Sequence, residues 1–299
     1  MAKRNTKQYA GFHRKWGQFC IQREVDMFRP SLTDVVTFLT HLFNSGLGYS
    51  SLNTARCALS SIIMRDSDNT IGNHPLVSRF IKGVYHLRPP SCRYDNIWDV
   101  SIVLRYLRGL HPLSSLSMKM LTLKLVTLVA LVSAQRLQTL QLLDISTVHG
   151  DGSTFVFTIP DQIKQSRPGS GPIKVVLRDF QEDQSISVVK VLEFYLKQTK
   201  NLRGSCSKLF ISYVKPHAAV SRDTLARWIK LVLDLSGVDT KTFSAHSTRA
   251  ASTSAAYSRS VPIEEILKVA GWKSEKTFAK FYNKEVLHQN ETFTNILLS

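Results

Sequence analysis

Cysteine is the first scarcity. Four occur in 299 residues, Cys20, Cys57, Cys92 and Cys206, far apart and without C-x-x-C spacing. That excludes a disulfide framework and a thiolate zinc site, and it fits a reducing compartment. Acidic side chains are also sparse, 22 Asp and Glu against 39 Lys and Arg, and no constellation of carboxylates suggests a catalytic metal. Neither a thiolate zinc site nor metal-dependent strand transfer is therefore expected. Long hydrophobic runs are missing too: the longest, Leu121 to Val132, contains Lys124 and is too short for a bilayer. The opening Met-Ala-Lys-Arg-Asn-Thr-Lys has no apolar stretch, so it does not read as a secretory signal. A soluble chain without a membrane partner is expected. With only 14 Gly and 10 Pro and a hydrophobic fraction of 43%, low-complexity disorder is excluded as well.

What the chain has in abundance is positive charge. The formal balance is +17, and it points to a polyanionic partner. The excess is spread over both parts: residues 1–95 carry 13 Lys and Arg against 6 acids, and residues 96–299 carry 26 against 16. Two basic bodies suit a clamp around a duplex better than a basic arm on a neutral domain.

The first ninety residues read as helices. Ser31-Leu-Thr-Asp34 is a capping-box pattern opening an amphipathic run with Val35, Val36, Phe38, Leu39 and Leu42 on one side. Further helical runs are expected at Ser51–Arg65 and His74–His86. Pro89-Pro90 cannot continue a helix, so the organisation expected is a helical domain over 1–88, a linker over 89–97 and a second domain over 98–299. There, helix is expected from Val100 to Leu131, broken near His111-Pro112. The period then changes, and Phe155–Ile159 and Ile173–Leu177 predict a small antiparallel sheet of about three strands. Beyond Ser185 the pattern is helical to the end. The fold class is thus mainly α with a small antiparallel β-sheet.

Several side chains stand out against this background. His246 and Arg249, three apart in an Ala/Ser-rich run, fall on one helix face, and a planar guanidinium in such a helix wants an anion such as phosphate. Alone, such a pair usually means a surface contact. Gly271 is a natural helix stop, and Trp272 after it offers one N–H donor and a wall. Ser274 suits the cap of a short helix that brings Tyr282 round, although Phe278 and Tyr282, four apart, also suit a core. Arg136 follows a nearly continuous apolar helix, where a charge is costly without a partner. Lys164 lies between the two strands, where a solvated lysine is the ordinary case.

Taken in order, Arg136, Lys164, His246/Arg249, Trp272 and Tyr282 resemble the constellation of the tyrosine recombinases, the phage-integrase family. The likeness spans the chain and implies a two-domain architecture, a helical core-binding (SAM-like) DNA-binding domain and a mixed α/β catalytic domain. Gln135-Arg-Leu-Gln-Thr-Leu140, Ile163-Lys-Gln-Ser-Arg-Pro-Gly169 and Gly271–Tyr282 resemble the recombinases of DIRS-type and Ngaro-type eukaryotic retroelements. Thr139 departs from the family by replacing a common acid. Trp272 stands in place of the commoner histidine, and the gap from Trp272 to Tyr282 is ten residues, about one longer than in typical members.

The resemblance implies that Tyr282 attacks a DNA phosphodiester to give a 3′-phosphotyrosyl bond, without ATP or metal. Arg136, Arg249, His246 and Trp272 would cage the phosphorane, with Lys164 as general acid and His246 assisting at Tyr282. Four protomers on paired sites would exchange strands, and a tail bearing Phe293, Ile296 and Leu297 would dock on a neighbour or fold back on its own domain. Arg4, Arg14, Lys15 and Arg56 are candidate phosphate contacts, or ordinary solvated charges. A eukaryotic element implies a nuclear protein; otherwise the cytoplasm is expected. Two alternatives stay open: a domesticated DNA-binding protein without activity, and a type IB topoisomerase-like strand-passing enzyme.

Overall fold

The computed structural model describes residues 3–64, 70–90, 94–161, 166, 169 and 171–287, of which residues 3–7, 280, 281 and 287 are described by backbone alone. The chain divides into two compact units, 1–93 and 94–299.

The first unit is helical: α1 (Lys3–Arg23), α2 (Leu32–Asn44), α3 (Tyr49–Ser60) and α4 (Pro75–Leu87). Ser31 and Asp34 close the reciprocal capping box that starts α2, and Val35, Phe38, Leu39 and Leu42 then share its buried face. Gly46, at φ +93, makes the turn out of that helix. α4 opens on Pro75 with the His74 side chain accepting from Leu76 N, and it buries Val77, Ile81 and Val84. Trp16 of α1 is fully buried against Phe38, ring centroids 5.0 Å apart, and its indole N–H donates to Met27 O.

The second unit runs β1 (Asn96–Trp98), α5 (Val100–Gly109), α6 (Met118–Ser133), α7 (Leu137–Leu142), β2 (Val148–Gly150), β3 (Thr154–Ile159), β4 (Ile173–Arg178), α8 (Val188–Thr199), α9 (Arg222–Leu235), α10 (Ser247–Ser258), α11 (Ile263–Ala270), α12 (Glu275–Phe281) and β5 (Glu285–Leu287). Its axis is α6, buried at every position from Leu121 to Leu131 and packed by α8, α9, α10 and β4. A helix apolar on all sides must lie inside a domain. Its polar residues are satisfied internally: Thr127 and Ser133 bond back four residues, and Lys124 Nζ donates to Leu110 O at 2.5 Å.

β2, β3 and β4 form the expected antiparallel sheet, with Phe157 opposite Val175 and Ile159 opposite Ile173. Phe157, Ile159, Val175 and Leu177 point to the core, while Lys174, Val176 and Arg178 alternate outward. Two expectations need correction. The chain is not helical to its end, because β5 pairs in parallel with β1, Ile97 opposite Val286. Residues 96 and 97, expected at the end of the linker, form that partner strand together with Trp98, and the strand belongs to the second unit. The tail residues Phe293, Ile296 and Leu297 lie outside the described residues.

Candidate active site

Three elements of the second unit converge. The first is the turn after α6. Ala134 takes a left-handed conformation, φ 46, which ends the helix, and two residues later Arg136 caps α7 with extended backbone. Its Nη1 is buried and has no hydrogen-bond partner among the described residues.

The second element is α10, whose small side chains Ala250, Ala251, Thr253 and Ser254 let it pack deep in the unit. Arg249 is only 2% exposed there. Its Nη2 donates to Ala270 O at 2.6 Å, while Nε and Nη1 are buried without partners among the described residues. Arg203 provides an internal comparison. It is almost as buried, 6% exposed, yet Nε, Nη1 and Nη2 donate to Thr199 Oγ1, Lys208 O and Leu209 O. All three donor nitrogens of Arg203 are thus met by protein acceptors, whereas only one of Arg249's is. Desolvation, and then the like charge of Arg136, pull the Arg249 guanidinium down to about 9, with Tyr282 opposing. The two arginines, separated by α7 to α9 in the chain, therefore share one electrostatic site.

The third element is the α11–α12 corner. Gly271 takes φ 66 and stops α11, as its position in the sequence suggests. Trp272 follows, 8% exposed, with Nε1 buried and without a partner among the described residues. Ser274 caps α12 by accepting from Lys276 N, and Tyr282 ends that helix. The Trp272 and Tyr282 rings lie 4.3 Å apart, and the Arg249 Cζ sits 4.4 Å and 5.4 Å from their respective centroids. The ten-residue gap thus delivers the Tyr282 ring to Arg249.

Ser254 fixes that delivery. Its hydroxyl, five residues along α10 from Arg249, donates to Tyr282 O at 2.6 Å and accepts from Lys284 N at 3.1 Å. Pairing of β5 with β1, and the bond from Trp98 Nε1 to Ser247 Oγ, hold the same segment against the start of α10. Nothing in the local sequence singles out Ser254 among the six serines and threonines of α10. Its partner carbonyl is a backbone atom, invisible to a motif.

The remaining candidates are placed differently. His246 is exposed at the N-cap of α10, one residue before its first turn. Lys164 lies outside the described residues, as does the Arg4 side chain. Arg14 and Lys15 are exposed on α1 of the first unit. Arg56 is half-buried and donates to Gly72 O at 3.3 Å, so it braces its own unit. Among the described residues no group of three His, Cys, Asp or Glu side chains could hold a metal ion, and no helix is long and apolar enough to cross a membrane.

The site is therefore rich in donors and poor in acceptors. Arg136 Nη1, Arg249 Nε and Nη1, and Trp272 Nε1 are all desolvated and unmatched among the described residues. Buried polar atoms are almost always paired, so such a set calls for an oxyanion from outside the chain.

No protein-family sequence model matches this chain, and no curated protein sequence does. Solved structures do match. XerH site-specific recombinase bound to difH substrate, in a pre-cleavage complex, gives a TM-score of 0.63 at 14% identity, covering 98% of this chain and 78% of that one. A lambda integrase tetramer bound to a Holliday junction gives 0.56 at 15% identity, covering 98% and 75%. The Tn1549 transposon integrase in complex with transposon right end DNA gives 0.55 at 12%, covering 90% and 84%. At these identities the likeness establishes the fold. The mostly helical unit with its small antiparallel sheet is the tyrosine recombinase catalytic-domain fold.

Proposed function

We propose that this protein is a site-specific DNA recombinase that cleaves and rejoins strands through a 3′-phosphotyrosyl intermediate. The observation that carries the reading is the meeting of Arg249, Trp272 and Tyr282, with the charge of Arg136 acting on Arg249, around buried donors that have no partner among the described residues. Tyr282 Oη bonds to the scissile phosphorus as the bond to the 5′ oxygen breaks. Its proton passes to His246, and Lys164 protonates the departing 5′ oxygen. The phosphorane concentrates charge on its non-bridging oxygens, and the two guanidiniums with the Trp272 N–H meet that charge as it develops. Phosphodiester energy is kept in the phosphotyrosine, so rejoining to a second 5′-hydroxyl needs no ATP.

Exchange between two duplexes requires several such sites, which favours four protomers on paired DNA. Motif likeness to DIRS-type and Ngaro-type elements favours integration of a mobile element and a nuclear location. The exposed Arg14 and Lys15 would contact DNA phosphates.

The test is incubation with nicked suicide duplexes from a randomised-core library, then denaturing electrophoresis. A covalent adduct is expected that vanishes in Tyr282→Phe and falls about 100-fold or more in Arg249→Ala. It should persist under magnesium chelation. An adduct untouched by loss of Tyr282 would assign the attack to another group. DNA binding with no adduct in any library member would favour an inactive DNA-binding protein.

A further inference from the structure

A helix leaves its last carbonyls without intrahelical donors. At the end of α11, Gly271 N bonds to Lys268 O at 3.2 Å and Trp272 N to Leu267 O at 2.8 Å. The last two carbonyls are met from other elements. Gln135 Nε2 donates to Val269 O at 2.6 Å, and Arg249 Nη2 donates to Ala270 O at 2.6 Å. Gln135 directly precedes Arg136, and Trp272 lies two residues beyond Ala270. One turn of backbone therefore ties down both arginine-bearing elements and the indole at once.

The turn that carries Gln135 is itself constrained. Ala134 is an L-residue held in the left-handed region, where its Cβ crowds the following carbonyl. It stays there packed with Ile266, Ala270, Trp272 and Phe278, with Tyr282 against the same cluster. Gln135 is 8% exposed, and its Oε1 is buried with no partner among the described residues. A methionine would fill the same space without the cost of burying an amide. The amide's contribution is its donor, aimed at Val269.

We infer that Gln135 is a positioning residue: by clasping the end of α11 it sets Arg136 against Arg249, Trp272 and Tyr282. The inference rests on the reading of this site as a DNA-cleaving centre. A side chain that orients a group in direct contact with the reacting atoms commonly matters ten- to a hundredfold, roughly, to the rate.

The test uses the full chain labelled with 5-fluorotryptophan, whose four tryptophans are Trp16, Trp98, Trp228 and Trp272. Trp272→Phe assigns the Trp272 fluorine signal. In Gln135→Met and Gln135→Glu, both about the size of glutamine and both without the donor, the Trp272 signal should move while those of Trp98 and Trp228 stay. Single-turnover adduct formation should fall about tenfold or more while the DNA dissociation constant changes less than about twofold. An unmoved Trp272 signal overturns the inference, as does an unchanged adduct rate or a parallel loss of rate and affinity. If Gln135→Met loses its signal dispersion, Gln135→Glu carries the test; collapse of both variants means a purely structural role and overturns it too. If the unmutated protein forms no adduct, the DNA-cleaving reading fails, and the Trp272 signal alone then decides whether the clasp sets the site.

Discussion

The guanidinium of Arg249 lies 4.4 Å above the Trp272 ring. An aromatic face attracts a cation but does not neutralise it. Arg249 therefore keeps its charge in a buried setting with one side-chain hydrogen bond among the described residues, to a carbonyl, and with Arg136 close enough to repel it. The arrangement works against stability, as sites that await an ionic ligand do.

Two outcomes should follow for Arg249. Its proton affinity is lowered from the ordinary arginine range to about 9, so the charged form carries its full cost at every pH below about 9. Relief by titration comes only as pH rises through that value. An anion, by contrast, should give relief at neutral pH. Sulfate should raise the melting temperature at pH 7 above that in chloride of equal ionic strength, by the mass-action increment of a ligand bound to the folded state. Arg249→Met should melt several degrees higher, gaining on the order of 1 kcal/mol or more, lose the response to sulfate and form no adduct. Scanning calorimetry in matched salts checks all three. A less stable Arg249→Met would mean that the Ala270 bond outweighs the unpaired charge.

Trp272 separates donor from wall. Its ring packs on Tyr282 and Phe278 at 4.3 Å and 5.9 Å, so Trp272→Phe should keep most of the packing and remove only the N–H. Loss of a donor aimed at transition-state charge costs about 100-fold in rate. Trp272→His, which restores a donor, should recover part of that loss. Single-turnover adduct rates with DNA affinity measured alongside would show it. Equal rates in Trp272→Phe and the unmutated protein would reduce Trp272 to a wall.

Features written in local sequence were legible before the fold. The Ser31–Asp34 capping box, the three-stranded sheet, the Gly271 stop and the Ser274 cap each depend on residues within a few positions. The convergence of Arg136, Arg249, Trp272 and Tyr282 was legible only through their order along the chain, since none is persuasive singly. Other features left no local trace. β1 and β5 are three residues each and pair across most of the second unit, too short for any period to show. Gln135 and Ser254 act on backbone carbonyls of Val269 and Tyr282, and a carbonyl has no residue type. His246 and Arg249 have helical spacing, yet His246 sits at the cap, exposed, while Arg249 is buried one turn in.

Ser254 should behave as a brace for the attacking group. Its hydroxyl holds both the carbonyl of Tyr282 and the N–H of Lys284, and Ser254→Ala leaves both without that partner. Lost hydrogen bonds of this kind cost about 1–2 kcal/mol of stability. Misplacing the phenol costs rate as well, and about a tenfold fall in adduct formation is expected with DNA affinity unchanged. Ser254→Thr should recover part of the rate because it keeps the hydroxyl. If Ser254→Ala lowers the melting temperature and leaves the adduct rate alone, α12 is held by β5 and packing instead.

Lys124 carries a separate pH dependence, through a side chain with no role in the proposed chemistry. It is wholly buried in α6, its ammonium donates to Leu110 O, and burial pulls it down to about 8, with Asp183 opposing. In the unfolded chain it titrates in the ordinary lysine range near 10.5. Between those two values the unfolded state holds a proton that the folded state has released, so rising pH favours folding. Below about 8 both states are protonated, and the buried charge carries its full cost. Melting temperature compared between the unmutated protein and Lys124→Met isolates this group. The variant should be the more stable at pH 7, and the gap should narrow by about 1–3 kcal/mol as pH rises from 8 toward 10.5. A gap independent of pH across that window would mean that the Leu110 bond and entering water hold the ammonium charged throughout.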